Sequence, residues 1–209
     1  MKGYPNDLYI LAFDHRGTLT KGLLGVEGRQ PSEEEVARVS SMKDIIFDGF
    51  LEASSKGIEG GDPAILVDET FGIQVQNRAK DMGIKLAAPV EKSGQKIFDF
   101  EYGDNFGEKI KEVNADFVKI LVRWNPDDDS ETRQIQGERI KTLSDWLDEN
   151  ERKFLLEFLV PASEEQLASV DGDQSRYDSE IRPKLAVQVV EEMRERGADP
   201  DIWKIEGLD

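Results

Sequence analysis

The feature that most constrains this chain is an alternation. Six short apolar runs, LYILAFD (8–14), AILVDE (64–69), KLAAPVE (85–91), FVKILVRW (117–124), KFLLEFLV (153–160) and DIWKIEGL (201–208), recur at spacings of roughly 20 to 55 residues. The stretches between them read as helices. SEEEVARVSSMKDIIFDGFLEASSKG opens on a capping box of Ser32 and Glu35, FGIQVQNRAKDMG closes at Gly83, and RPKLAVQVVEEMRERG closes at Gly197. GDNFGEKIKEVN and ETRQIQGERIKTLSDWLDEN complete the set, and GIEGGDP (57–63) reads as a loop entering the second strand. A crossover helix after each strand returns the chain to the same direction, so the strands must pair in parallel and the fold class is α/β.

Two parallel architectures compete. An open doubly wound sheet would place a glycine-rich GxGxxG turn after the first strand, but that strand runs into DHRGTLTKGLLG. The expectation is therefore a (β/α)8 TIM barrel, in one domain spanning residues 1–209. Such a barrel takes about 250 residues, and the sixth strand already falls at the end of this sequence. Strands seven and eight are expected to be missing, as in a fragment of a longer protein or a truncated gene. Open parallel edges and an uncovered core predict association, with a homo-oligomer as the expected state.

Charge removes whole classes of partner. With 44 acidic against 27 basic side chains, the net charge of -17 repels nucleic acid phosphates and anionic lipid, so neither nucleic acid nor membrane is an expected partner. Most of the excess lies in runs such as SEEEV, DDDSE and DENER, which read as solvated surface. No apolar window approaches the roughly 18 residues of a membrane span, and MKGYPNDLYILAFD lacks the plan of a signal peptide. The expected location is the cytoplasm. The absence of cysteine excludes a thiol nucleophile and thiolate metal sites. The single histidine, His15, cannot build the His-rich zinc site of a metal-dependent aldolase, and no GxSxG nucleophile motif is present.

Several charged residues interrupt the apolar strands. Lys204, among Ile202, Trp203 and Ile205, is expected to lose much of its water, and a desolvated, neutral amine attacks a ketone to form a Schiff base. The same pattern also fits a lysine snorkelling from an exposed strand. Lys119 repeats it on the fourth strand with Arg123 four residues on, a pair of cations expected to depress each other's pKa and to attract phosphate. Glu157 on the fifth strand fits either a general acid and base or the third member of a salt-bridge network. Asp14, Asp68, Glu69 and Glu91 fall at strand C-terminal ends, where active-site residues of such barrels gather, or where carboxylates can hold Mg2+ or Mn2+.

In order and spacing, LAFDHRG, ILVDETFG, PVEKSG, ADFVKILVRWNP, FLLEFLVP and WKIEGLD resemble a family of uncharacterised aldolase-type barrels (DUF2090). That domain also occurs at the C-terminus of the sugar kinase of inositol catabolism, and is described as similar to 2-deoxy-5-keto-gluconate-6-phosphate aldolase. More distantly the chain is similar to tagatose-1,6-bisphosphate aldolase, a class I enzyme. The resemblance implies a barrel of class I aldolase type in which Lys204 forms the imine, Glu157 shuttles protons, and Lys119 and Asp14 orient substrate or tune the charge. It further implies a carbon–carbon lyase acting on a keto-sugar phosphate without metal or organic cofactor, with Arg16, Asp68, Glu69, Glu91, Lys92 and Arg123 as substrate contacts. The rival is a non-catalytic or regulatory barrel that binds a sugar phosphate, with a sugar kinase as its candidate partner. The phosphate-binding residues that such aldolases take from strands seven and eight have no counterpart here.

Overall fold

A computed structural model describes residues 2–57 and 60–207. The six strands are β1 (Asp7–Ala12), β2 (Gly61–Leu66), β3 (Lys85–Pro89), β4 (Phe117–Arg123), β5 (Lys153–Leu159) and β6 (Ile202–Lys204). They form one sheet in the order β1-β2-β3-β4-β5-β6, parallel at every step. Each strand therefore lies beside its predecessor in sequence, as barrel strands do. The sheet is strongly curled. Strands stand about 4.8 Å apart, so in a flat sheet β1 and β4 would be separated by about 14 Å, yet Asp14 at the end of β1 touches Lys119 of β4 at 2.8 Å. The result is a six-stranded half-barrel. Among the described residues β1 and β6 each pair on one side only, and six strands are present in place of the eight of a closed barrel.

The crossover helices are where the sequence pattern placed them: α2 (Glu33–Gly57), α3 (Glu69–Asp81), α4 (Phe106–Val113), α5 (Ser130–Glu149) and α8 (Arg182–Glu195). Ser32 and Glu35 make the expected reciprocal cap, with Glu35 N donating to Ser32 Oγ and Ser32 N to Glu35 Oε2. Gly83 and Gly197 end their helices in left-handed backbone, at φ 71° and 90°. Three further pieces were not assigned from sequence: α1 (Gly17–Leu24), α6 (Glu164–Ser169) and the turn α7 (Gln174–Arg176), which runs through a π-helical turn into α8. They are short, and short helices leave little periodicity to read. The Ser163–Gln166 capping box was nonetheless the legible signal for α6. Of the loop expected over 57–63, residues 58 and 59 lie outside the described residues, and so does Leu208 of the sixth run.

Strand alternation gives the sheet two faces with different jobs. Outward, Ile65, Val67, Leu86 and Ala88 pack with Phe47, Phe50 and Val75 of α2 and α3. Val118, Ile120, Val122, Phe154, Leu156 and Phe158 pack with Ile140, Leu143 and Val189 of α5 and α8. Inward, Leu66, Ala87, Phe117 and Leu155 form a small, fully buried apolar plug, flanked by Leu8, Ile10 and Ile202. Above that plug, toward the C-terminal ends of the strands, the inner positions turn polar. No helix among the described residues is long and apolar enough to cross a membrane.

Candidate functional site

The inner positions of β4 and β5 set the centre of the site. Lys119 lies two residues beyond Phe117 of the plug, on the same face, and is buried to 2% exposure. An ammonium held out of water must be paired, and Lys119 is paired three times. Its Nζ donates to Asp14 Oδ2 at 2.8 Å and Glu91 Oε1 at 3.0 Å, and lies 3.1 Å from Glu157 Oε2. Glu157 stands opposite Lys204 in the β5–β6 register, so their side chains emerge side by side, and Lys204 Nζ donates to Glu157 Oε1. Arg16 closes the group from the β1–α1 turn, with Nη1 on the Glu91 carbonyl at 2.9 Å and Nη2 on Glu91 Oε1 at 3.0 Å. A chain of ion pairs thus runs Lys204–Glu157–Lys119–Glu91–Arg16, with Asp14 branching from Lys119.

Electrostatics follow from burial. Desolvation alone would lower the Lys119 pKa, but Glu91, Asp14 and Glu157 outweigh it and hold the ammonium well above the ordinary lysine value. The expected depression of Lys119 is therefore corrected. Arg123 reaches outward to the Gln95 carbonyl at 3.0 Å, leaving three carboxylates to decide the lysine's charge. Burial also pushes Asp14 up, but Lys119 and then Lys204 reverse it and leave the carboxyl below its usual value. Glu91 goes the other way. Its complete burial raises its pKa by more than Lys119 and Arg16 recover, and its Oε2 has no hydrogen-bond partner among the described residues.

These groups line a cleft of about 670 Å³ at the C-terminal ends of the strands. Asp14, Arg16, Glu91, Lys92, Lys119, Arg123, Glu157 and Lys204, eight of the ten residues singled out from sequence, lie along it. Two do not. Asp68 is buried against Lys43 of α2, at 2.7 Å, and caps α3 by accepting from Phe71 N. Glu69, the first residue of α3, points to the outer side and pairs with Lys109 and the Tyr102 hydroxyl. The correction has a simple cause, because the chain turns into α3 directly after β2 and carries both side chains out with the helix start. Asp68 and Glu69 consequently do not converge with Asp14 and Glu91 as a cation site would require. Among the described residues no group of three or more His, Cys, Asp or Glu is arranged to hold a metal. Lys204 is also less enclosed than its neighbours suggested, with 37% of its side chain exposed to the cleft. Burial pushes the pKa of another lysine down, Lys43 of α2, which was not singled out from sequence. The signal was present, since Val39, Lys43 and Phe47 follow at steps of four on the buried stripe of α2.

The family described as an uncharacterized protein conserved in bacteria (DUF2090) matches residues 2–209, essentially the whole chain. The chain belongs to this family. Outside it, the chain is similar to tagatose 1,6-diphosphate aldolases. It is 23% identical over 201 residues to that of Lactococcus lactis subsp. lactis and to that of Streptococcus pneumoniae serotype 4. It is 22% identical over 205 residues to that of Staphylococcus aureus. Each match covers 94% of this chain and 56% of the relative, so this family member spans little more than half the length of the curated relatives it matches. A crystal structure from Corynebacterium glutamicum, Cgl0159, aligns with a TM-score of 0.43 at 17% identity, covering 72% of this chain and 47% of that one.

Proposed function

We propose that this protein is a class I aldolase-type carbon–carbon lyase that cleaves a keto-sugar phosphate through a Schiff base on Lys204. The observation that carries the reading is the direct contact of Lys204 Nζ with Glu157 Oε1 at the wall of the cleft, while the other Glu157 oxygen rests on Lys119. An amine that is to attack a carbonyl must first lose a proton, and Glu157 is the group in place to take it. The neutral amine adds to the ketone carbon, Glu157 returns its proton to the hydroxyl that forms there, and loss of water leaves an iminium ion with Glu157 again a carboxylate. Glu157 then removes the proton of the β-hydroxyl. The bond between the α and β carbons breaks, its electrons pass into the iminium to give an enamine, and an aldehyde departs. Protonation of the enamine carbon by the same carboxyl, followed by addition of water, releases the ketone and restores Lys204. Lys119 keeps Glu157 aimed and supplies fixed positive charge where oxygen anions develop.

The substrate class follows from the cleft's rim and from what the relatives are named to cleave. Arg16, Lys21, Lys92 and Arg123 line the same opening in a strongly acidic protein, which makes it a local positive entry for a phosphate. The relatives' names point to ketose bisphosphates, and 2-deoxy-5-keto-gluconate 6-phosphate is a further candidate of the same chemistry. The test is the intact mass of the folded protein after borohydride reduction in the presence of dihydroxyacetone phosphate or of keto-sugar phosphates, with peptide mapping. A stable adduct on the peptide carrying Lys204, lost in Lys204→Ala, is expected. An adduct that persists in Lys204→Ala refutes this lysine, and a folded protein that binds the phosphates without any adduct is a binding barrel rather than a lyase.

A further inference from the structure

Lys43 has no place in the cleft, yet it is the most completely buried lysine described, at 1% exposure. All three of its donors are spoken for. Nζ donates to the Phe13 carbonyl at 2.8 Å, to the His15 carbonyl at 3.0 Å, and to Asp68 at 2.7 Å on Oδ1 and 3.1 Å on Oδ2. The two carbonyls are those of the residues on either side of Asp14. Phe13 N still continues the sheet by donating to Leu66 O at 2.9 Å, and beyond it the segment leaves the ladder and runs to Arg16 and the start of α1. Asp68 is itself anchored, since its Oδ2 also accepts from Phe71 N in the first turn of α3. One ammonium on α2 therefore pins the end of β1 to the end of β2 and to the start of α3.

A buried ion pair is seldom retained for stability alone, because apolar side chains of the same volume usually serve as well or better. The Lys43 stem already packs on α3, its Cδ 3.7 Å from where a Cβ on Gly72 would stand and its Nζ 5.9 Å from the centre of the Phe71 ring. What an apolar residue cannot supply is two hydrogen bonds to adjacent carbonyls. We infer that Lys43, held by Asp68, is a positioning residue that fixes the Phe13–His15 backbone so that Asp14 meets Lys119 and Arg16 meets Glu91. It acts through those residues and does not itself line the cleft. Its part in catalysis rests on the lyase reading, whereas its effect on the geometry of Asp14 does not.

The variant that separates the two is Lys43→Met/Asp68→Asn. It removes a positive and a negative charge together, so the direct electrostatic change at Asp14 is small, and Asn keeps the cap of α3. The first readout is the carboxyl 13C resonance of Asp14, titrated in the unliganded protein and independent of any activity. With the brace gone the contact to Lys119 loosens, and Asp14 is expected to titrate at least about one pH unit higher than in the wild type. A folded double variant with an unchanged Asp14 titration overturns the inference. Should the double variant not fold, Asp68→Asn alone decides. The ammonium then keeps both carbonyls, so the Asp14 titration is expected to stay, and a shift as large as that of losing the contact would assign the effect to the Asp68 charge instead. The second readout is borohydride trapping on Lys204 with keto-sugar phosphates, expected to be slower in the double variant than in the wild type. Equal trapping rates in a variant with shifted Asp14 refute a catalytic consequence, and no trapping in the wild type refutes the lyase reading while leaving the first readout standing.

Discussion

Replacing Lys119 with Met tests the electrostatic account of the site most directly. The substitution fills nearly the same volume, but it leaves Asp14, Glu91 and Glu157, all within 3.1 Å of the lost ammonium, facing one another with only Arg16 and Lys204 to answer them. Removing one member of a buried ion network costs about 3–5 kcal/mol. At roughly 2–4 °C per kcal/mol for a chain of this size, the melting temperature at pH 7.5 is expected to fall by roughly 6–20 °C at fixed protein concentration. The pH dependence carries the sharper test. In the wild type Lys119 has a raised folded pKa, so its contribution is fully present below the ordinary lysine value and is lost only as pH rises through the folded one. Asp14 has a lowered folded pKa, so its contribution is present above the ordinary carboxylate value and is lost only as pH falls through the folded one. Neither changes between pH 5 and 7.5. In the variant, burial acts on Asp14 and Glu91 without Lys119, so the folded pKa of Asp14 rises above its unfolded value, that of Glu91, already raised, rises further, and stability returns as pH falls and the carboxyls take up protons. Thermal unfolding followed by circular dichroism at pH 5 and 7.5 should show a smaller deficit at pH 5. A deficit under about 2 °C at pH 7.5, or one that grows on acidification, refutes the reasoning.

Other perturbations probe separate parts of the structure. Gly72→Ala places a Cβ 2.3 Å from Val67 Cγ2 at the joint between β2 and α3. Overpacking there costs about 1–3 kcal/mol against a helix-propensity gain of at most about 1 kcal/mol, so a lower melting temperature is expected and a higher one would show that the joint yields freely. Arg16→Met removes the guanidinium from Glu91 and from the cleft's rim. In a Lys204→Ala background, where binding is separated from chemistry, calorimetric affinity for a keto-sugar phosphate should fall about tenfold or more, the scale of a lost charge-assisted contact, and an unchanged Kd would remove Arg16 from the substrate contacts.

The frame of this protein was written in its apolar periodicity, because β2 to β5 are buried on both faces and such strands read as unbroken apolar runs. The charged interruptions of those runs, Lys119 and Glu157, were readable for the same reason: a charge on an inward strand position has nowhere to go but the site. Distance along the chain hid the rest. That Asp14 and Lys119 meet, 105 residues apart, depends on the curl of the sheet, which no local pattern encodes. Asp68 and Glu69 misled because position at a strand end does not say which way the following helix turns the side chain. Lys43 escaped notice because a lysine in a charged helix looks like surface until its neighbours at steps of four are counted.

The strand order has a consequence for how the sheet is made. Because sequence neighbours are also sheet neighbours from β1 through β6, each strand leaving the ribosome finds its pairing edge already formed, and the sheet can grow by accretion from one end. Of the described strands the last to add is β6, three residues long and held to β5 alone among the described residues. Short and bound on one side, it belongs to the class of elements that open first in the native state. The amine of Lys204 is thus carried on a short strand with one described partner, and the amides of β6 are the ones that should surrender their protons to heavy water before those of β4, where Lys119 sits locked.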